Sequence, residues 1–442
     1  MPVVSRTEAR SPQVVSRIGF KVIRFVEETL WAVMIIATLL VILRTAIIVV
    51  LALIHQTREK KRAEPLKGSE PPLSVLIPAY NEEKVIRSTL ASVLNTCYRG
   101  AIEVIVIDDG SKDKTVEIVE NIMASDSRVR LICQPNLGKA EALQNGIEDA
   151  QNELIVMLDA DTQFTPSTLS YLVDLLQDEN VGAVSGHAKV GNKTSRIAPK
   201  FQALEYTCGF NLDRRAYDVW NCITVAPGAV SAYRKSAIIE AGGISNDTLA
   251  EDTDLTLHLH RLGYLVRYTS KAVAWTEAPE TFKALVNQRK RWAFGTIQCL
   301  WKHKDLLLNP LVPGLGFFSL PGLWFFQIFL VAIIPLVDFM LIVSMITGNG
   351  GAIVVYAIGF LIIDLILAGI ACLMEKEPLN LALYILPMRI LYRPLLSFAI
   401  WSSLLNVMKG AWVGWGKLER KGSVTIKETE ESILEIMEKK SE

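Results

Sequence analysis

Leu154-Ile155-Val156-Met157-Leu158-Asp159-Ala160-Asp161-Thr162 decides the fold. The aliphatic run is short and continuous, as expected for a parallel strand buried on both faces. Two carboxylates, one residue apart, then stand where the strand emerges. Thr165-Pro166 predicts a helix start, with Thr165 as N-cap and Pro166 in the first turn. Open α/β sheets bind ligands beyond the carboxyl ends of their strands. Hard oxygen donors at such an edge suit Mg²⁺ or Mn²⁺ carrying phosphates. The alternative for an isolated Asp-x-Asp is a solvated loop after a strand.

Working outward, residues 73–280 alternate strand and helix signals and predict an α/β domain with a mixed, Rossmann-like sheet. Leu73–Ile77, Ile102–Ile107 and Val129–Cys133 read as strands before the Asp159 strand. Val181–Val184, Ala229–Tyr233 and Leu265–Tyr268 read as strands after it, with a change of order or direction near Val181. Helices are expected from Asn81-Glu82-Glu83, over Asp113–Met123, over Gly138–Ala150 and over Glu251–Leu262. Arg196–Val219 reads as a long helical segment.

The two ends of the chain differ from this middle. Half of the 442 residues are hydrophobic, and the mean hydropathy is positive. Trp31–Ile54 is long enough to span a bilayer and lacks a signal-peptide cleavage pattern. Arg58, Lys60, Lys61 and Arg62 follow, so the next domain is expected on the cytoplasmic face of a cell membrane. Residues 56–72 form a linker. Phe282–Leu308, within residues 281–312, reads as a basic amphipathic helix suited to the membrane interface or to an ordinary surface. Phe317–Ile346 and Ala352–Met374 are further spans, joined by a Gly-rich turn at Gly348–Gly351. Leu379–Met408 carries Pro387, Arg389, Arg393 and Pro394 and reads as a bent or re-entrant span. A charged tail, 411–442, closes the chain.

Basic and acidic residues number 46 each, so net charge gives no sign of a nucleic-acid partner. Six scattered cysteines without metal spacing fit reduced thiols. No GxGxxG follows the first strand, and Gly138-Lys139 lacks the earlier glycines of a P-loop.

Other polar motifs converge on the same sheet edge. Pro78-Ala79-Tyr80-Asn81-Glu82-Glu83 and Asp108-Asp109-Gly110-Ser111 leave the first two strands. Asp109 can accept an N–H from a nucleotide base that Tyr80 covers by stacking. Lys139, at a helix start, can put charge on a diphosphate. Ala250-Glu251-Asp252-Thr253-Asp254 is a second acidic centre. Asp252 is the candidate general base, while Glu251 or Asp254 suits a helix N-terminus. Gln288-Arg289-Lys290-Arg291-Trp292 adds a cationic fork for a leaving diphosphate and a flat platform for a sugar. Each residue taken singly also has an ordinary structural reading, as a solvated charge or a packed aromatic.

The set Asp109, Asp159-x-Asp161, Glu251-Asp252 and Gln288-x-x-Arg291-Trp292 resembles the processive inverting glycosyltransferases of family 2. These include cellulose, chitin, hyaluronan and poly-N-acetylglucosamine synthases. Asn136-Leu137-Gly138-Lys139-Ala140 and Gly414-Trp415-Gly416-Lys417-Leu418-Glu419-Arg420 are most similar to the last group. The resemblance implies a GT-A domain, a UDP-sugar donor and Mg²⁺ or Mn²⁺. It places Tyr80, Glu82, Asp109, Lys139 and Asp159 at the UDP-sugar and Asp161, with Asp159, at the metal. Asp252 becomes the base, and Gln288, Arg291 and Trp292 hold diphosphate and acceptor. Ala250 stands where the family has Thr, and Asn221–Ala229 matches its acceptor loop loosely. The resemblance further implies a growing glycan acceptor and contact with membrane lipid. Because few spans are available for a polymer channel, it also implies a second copy or an accessory membrane subunit. Transfer of one sugar to a lipid-phosphate carrier is the alternative activity, and a non-catalytic membrane protein the alternative class.

Overall fold

The computed structural model describes residues 12–62, 70–193, 196–336, 339, 350–409 and 420–424. Residues 63–69 of the 56–72 linker, the first half of the Gly348–Gly351 turn, most of the end of the Phe317–Ile346 span, the Gly414–Glu419 motif and most of the charged tail lie outside them. Residues up to Ile47 form one compact unit, and those from Ile48 onward form another. The second unit contains the sheet.

Its strands are β1 (Leu73–Ala79), β2 (Ile102–Asp108), β3 (Val129–Cys133), β4 (Leu154–Met157), β5 (Thr162–Phe164), β6 (Val181–Val190), β7 (Ser231–Arg234) and β8 (Leu265–Thr276). They form one eight-stranded sheet in the order β3-β2-β1-β4-β7-β6-β8-β5. The aliphatic strands β1 and β4 lie side by side in the middle, and β4 is buried along its whole length. Strands β3, β2, β1 and β4 are mutually parallel. The expected change of direction comes at β7, which runs antiparallel to both β4 and β6. Strands β6 and β8 run well past their sequence-expected ends, because they pair with each other in parallel over most of their lengths.

Helices α1 (Pro12–Lys61), α2 (Ile86–Leu94), α3 (Thr115–Met123), α4 (Lys139–Asp149) and α5 (Thr168–Leu176) come first. After β6 come α6 (Ile197–Glu205), α7 (Leu212–Val219), α8 (Lys235–Glu240), α9 (Glu251–Arg261) and α10 (Phe282–Lys302). Three helix starts differ from expectation: α3 begins at Thr115, because Asp113 stays outside it and its side chain accepts from the Thr115 N–H at 3.0 Å. Helix α5 begins at Thr168 after Ser167, because Thr165 stays outside it and bonds the Thr168 hydroxyl at 2.8 Å. Helix α2 begins at Ile86, because Asn81-Glu82-Glu83 forms a turn bonded to residues 111–115. The Arg196–Val219 segment is helical with a π-turn, Tyr206–Asn211, at its centre. Ile86, Leu90 and Val93 of α2 and Leu169, Leu172, Val173 and Leu176 of α5 are buried in the main core. Each such fully buried side chain contributes about 1.5–3 kcal/mol.

Among the described residues, four helices are long and apolar enough to cross a membrane: Ile35–Lys61, Leu315–Leu336, Ala357–Met374 and Leu379–Met408. The last is irregular where the sequence carries Pro387, Arg389, Arg393 and Pro394. A 3-10 segment at Leu379–Tyr384 and a π-turn at Met388–Tyr392 precede its regular helix. Its two arginines share one carboxylate, Asp364, which takes Arg389 at 2.8 Å and Arg393 at 2.7 Å. Helix α10 packs along Arg393–Met408, with the Ser403 hydroxyl donating to the Lys290 carbonyl at 3.1 Å. The amphipathic helix thus lies against an apolar one. All six cysteines are free thiols.

Candidate active site

Strand register brings the site together. Ala79 pairs with Asp108, and Leu76 with Met157. Tyr80 and Asp109 therefore leave the sheet level with each other, and Asp159 emerges about two residues, roughly 6.6 Å, short of them. Asn81 turns the chain sharply after β1 with a φ of +53°, a left-handed conformation that Asn tolerates. Its side-chain oxygen accepts from the Lys112 N–H at 2.6 Å, so the two exit turns brace each other.

Asp109 is buried and fixes the approach to α4. One oxygen accepts from Gln134 and from the Leu137 N–H, both at 2.8 Å, and the other from the Gly138 N–H at 2.9 Å. A carboxylate has roughly four acceptor positions, so room for one further N–H remains. By holding Gly138, Asp109 also aims the next residue, Lys139, into the crevice.

Lys139 joins the two acidic centres. Its ammonium lies 2.8 Å from Asp159 and 2.9 Å from Glu251. Burial opposes its charge, yet Asp159, Glu251 and Asp252 hold its pKa well above the ordinary lysine value. Gly228 makes this bridge possible. A Cβ there would lie 2.6 Å from the lysine nitrogen and 3.2 Å from Asp159. The Asn221–Ala229 loop thus contributes an absence of bulk. It is secured to α9, with Thr256 accepting from the Ala226 N–H at 3.1 Å and His260 bonded to the Ile223 carbonyl at 2.8 Å.

Asp252 occupies the first turn of α9 and is half-buried. The Thr253 N–H donates to it at 2.7 Å. Burial and the neighbouring Glu251 carboxylate push its pKa up to about 6, against the pull of Lys139. That suits a general base, which stays ionised at neutral pH and binds a proton readily. If Asp252 must be a carboxylate, the rate should fall as pH drops below about 6. Glu251→Gln removes the like charge, so the acid limb of the pH–rate profile should move to lower pH. An unmoved limb would assign it to another group. Asp254, by contrast, does not face the crevice chemistry. It accepts from Lys302 at 2.9 Å and bonds His303 at 2.7 Å, tying α9 to the end of α10.

Asp161 is buried, and its Oδ2 meets the Arg420 guanidinium at 2.6 Å. Burial, Asp159 and Glu277 raise its pKa, while Arg420 and Thr162 oppose them. Residues 420–424 form a strap over this edge. Arg420 donates to the Glu277 carbonyl at 2.8 Å, and the N–H groups of Lys421 and Gly422 donate to the Glu277 carboxylate at 2.8 and 2.9 Å. Glu82, Asp159 and Asp161 all raise the Arg420 pKa. Arg291 in turn is lowered by burial and by Arg420. Four carboxylates, Asp159, Asp161, Glu251 and Asp252, thus face three cations, Lys139, Arg291 and Arg420. The acidic surplus and the hard oxygen donors fit a divalent cation, and the Arg420 guanidinium already rests on one of those donors, Asp161.

The Gln288–Trp292 element divides its roles. Helix α10 approaches Ala250 closely at Gly295, where a Cβ would lie 2.9 Å from that of Ala250. Arg291 faces the acidic centre, while Gln288 is buried, its side-chain oxygen accepting from Arg289 at 2.9 Å. Trp292 is 37% exposed. It packs on Phe210 with ring centroids 5.9 Å apart, and the Arg289 guanidinium stacks 4.1 Å from its own centroid. Glu205 and the Tyr392 hydroxyl hold Arg289 in that position. Sequence reading missed Gly228, Glu277, Arg289 and the role of Arg420. Arg420 stood at the end of the Gly414–Arg420 motif, Arg289 inside the Gln288–Trp292 element and Gly228 inside the Asn221–Ala229 loop, whereas Glu277 had no local signal.

The model of the family described as Glycosyl transferase family 2 matches residues 74–242. Residues 74–242 are a family 2 glycosyltransferase domain. The probable glycosyltransferase YdaM of Bacillus subtilis is 37% identical over 231 residues, 51% of this chain and 55% of that protein. The poly-beta-1,6-N-acetyl-D-glucosamine synthase of Staphylococcus aureus is 34% identical over 224 residues, 50% of this chain and 54% of that protein. The chain thus spans about half the length of the curated relatives it matches. Among solved structures, a mannosyltransferase of Pyrobaculum calidifontis in complex with GDP-mannose and Mn²⁺ superposes with a TM-score of 0.56 at 19% identity. The match covers 83% of this chain and 99% of that one. The glycosyltransferase domain has the GT-A fold, with its mixed sheet flanked by apolar helices.

Proposed function

We propose that the chain is an inverting membrane glycosyltransferase that moves N-acetylglucosamine from UDP to the end of a growing β-linked polysaccharide. The observation that carries this reading is the Lys139 bridge. One ammonium touches both Asp159 and Glu251, so the Asp159-x-Asp161 centre and the Asp252 centre open on one crevice. The Staphylococcus relative's name supports the choice of sugar, and the apolar helices support a membrane setting. The basic Arg58–Arg62 flank supports a cytoplasmic position for the glycosyltransferase domain.

In this mechanism an acceptor hydroxyl approaches the anomeric carbon from the face opposite the diphosphate. Asp252 takes its proton as the new carbon–oxygen bond forms and the bond to the diphosphate breaks. Inversion converts an α-linked donor into a β-linked product. Lys139 and Arg291 meet the negative charge gathering on the leaving UDP. A divalent cation held by Asp161, with Asp159 beside it, would add Lewis-acid stabilisation of that same charge. Trp292, stiffened by Arg289 and Phe210, offers its exposed face to the acceptor sugar. Tyr80 and Asp109 are assigned to the uracil ring, and Glu82 to the same end of the crevice.

The test is the purified full chain in liposomes, given labelled UDP-N-acetylglucosamine, UDP-glucose and UDP-glucuronate separately. A ladder of polymer from the first donor alone is expected. A single glycolipid product would replace chain extension by one-step transfer to a lipid carrier, and no product from any UDP-sugar would end the reading.

A further inference from the structure

A second cavity, of about 500 Å³, lies between the end of α1, α5 and the first half of β8. It shares no lining residue with the crevice described above. Its volume falls in the usual range for small-ligand sites. Arg58, Lys61, Arg267 and Lys271 line it, together with Tyr171.

The charges around it are unequally committed. Its carboxylates are held by the fold. Glu59 accepts from the Ser270 N–H at 2.8 Å and lies 3.2 Å from Arg215. Asp218 accepts from the Tyr268 N–H at 2.9 Å, Asp174 lies 3.7 Å from Arg62, and Asp178 caps Asn180 at 3.0 Å. Among the described residues, Arg58, Lys61, Arg267 and Lys271 have no carboxylate at ion-pair distance. Arg267 donates only to a backbone carbonyl, that of Asp218, at 3.3 Å, and the Lys271 ammonium sits 5.3 Å from the centre of the Tyr171 ring. Each acid thus has a local hydrogen-bond or ion-pair partner, while Arg58, Lys61 and Lys271 keep donors for an anion and Arg267 shares its charge with Asp178 and Asp218.

The position of the cavity says which anion. Along the apolar helix Ile35–Lys61, Val50, Leu53 and Ile54 are exposed, as lipid-facing residues would be. Arg58 follows Ile54 by four residues, about 6 Å along a helix. The cavity's cationic α1 lining therefore begins about one turn past an exposed apolar surface, where a lipid-embedded helix would meet headgroup phosphates. Arginine forks and lysines there suit a phosphate ester, and basic pockets beside membrane helices bind anionic headgroups.

We infer that this cavity is a phosphate-binding site for the headgroup of an anionic phospholipid, held by Arg58, Lys61, Arg267 and Lys271. The inference does not depend on the identity of the donor sugar. The test uses the full-length protein in a zwitterionic detergent, with bound lipid counted by native mass spectrometry. Dioctanoyl-phosphatidylglycerol should be retained at one molecule per chain, and dioctanoyl-phosphatidylcholine should not. A triple variant, Arg58→Gln with Lys61→Gln and Lys271→Gln, should retain it about a hundredfold more weakly, from the loss of three near-surface cations. Lys60→Gln, on the same turn but outside the cavity lining, should behave as wild type. The thermal unfolding midpoint of each variant checks that the fold survives. Competition by sn-glycerol 3-phosphate as strong as by the lipid itself would keep the phosphate site but move its source to a soluble ester. Equal retention of both lipids, or an unweakened triple variant, overturns the proposal.

Discussion

Asp252→Asn should lower sugar transfer by about 10²–10⁴-fold while UDP still binds. Asn keeps the shape of the side chain and can still accept from the Thr253 N–H, which meets Asp252 at 2.7 Å. What disappears is the ability to accept a proton from the attacking hydroxyl. The fold has little reason to suffer. Burial and Glu251 both work against the Asp252 charge, so a neutral side chain relieves the site. The groups proposed to bind UDP, Lys139, Arg291 and the Tyr80 and Asp109 turns, are left in place by the substitution. Calorimetry with UDP, beside labelled product formation, separates the two effects. Turnover like that of the wild type in this variant would falsify the assignment of the base.

Asp161→Asn should be nearly as damaging, through a different route. Asp161 is a buried carboxylate whose nearest cation is Arg420, at 2.6 Å. The neutral side chain removes the anionic donor proposed for the divalent cation and leaves Arg420 with the Glu277 carbonyl as its remaining close partner. Two readouts should move together. Mn²⁺ binding, followed by paramagnetic resonance of the free ion, should weaken by at least about tenfold, and hydrogen exchange at residues 420–424 should quicken. EDTA should silence the wild-type protein, with Mg²⁺ or Mn²⁺ restoring it. Unchanged Mn²⁺ affinity in the variant would move the cation away from Asp161.

Much of this site was readable because its chemistry sits at strand ends. A short aliphatic run fixes a buried strand, and the carboxylates after Leu158 must then lie at the sheet edge. The same reasoning located Tyr80, Asp109 and, through its helix start, Lys139. What stayed hidden depends on contacts far apart in the chain. Arg420 is 259 positions from Asp161, and nothing local marks it as a partner. Gly228 matters because of a lysine that approaches it, not because of its own turn. Asp109 was read as a base-binding acceptor, yet most of its capacity holds residues 134–138. The early starts assigned to α2 and α5 have a common cause. Asn, Glu, Thr and Pro signal a cap, but here their polar groups close turns against other loops before the helices begin.

The placement of β7 bears on how the chain is made. This strand is completed only at Arg234, yet it lies between β4 and the earlier-synthesised β6. A nascent chain that has reached the end of β6 has a four-stranded fragment, β3-β2-β1-β4, and a lone β6 whose neighbours β7 and β8 are both still to come. Each exposes an unpaired edge at that stage, the kind of edge that invites association with a neighbouring chain. Ribosome-bound fragments ending before Ser231 should therefore be sensitive to protease and prone to clump, and those extending past Arg234 much less so.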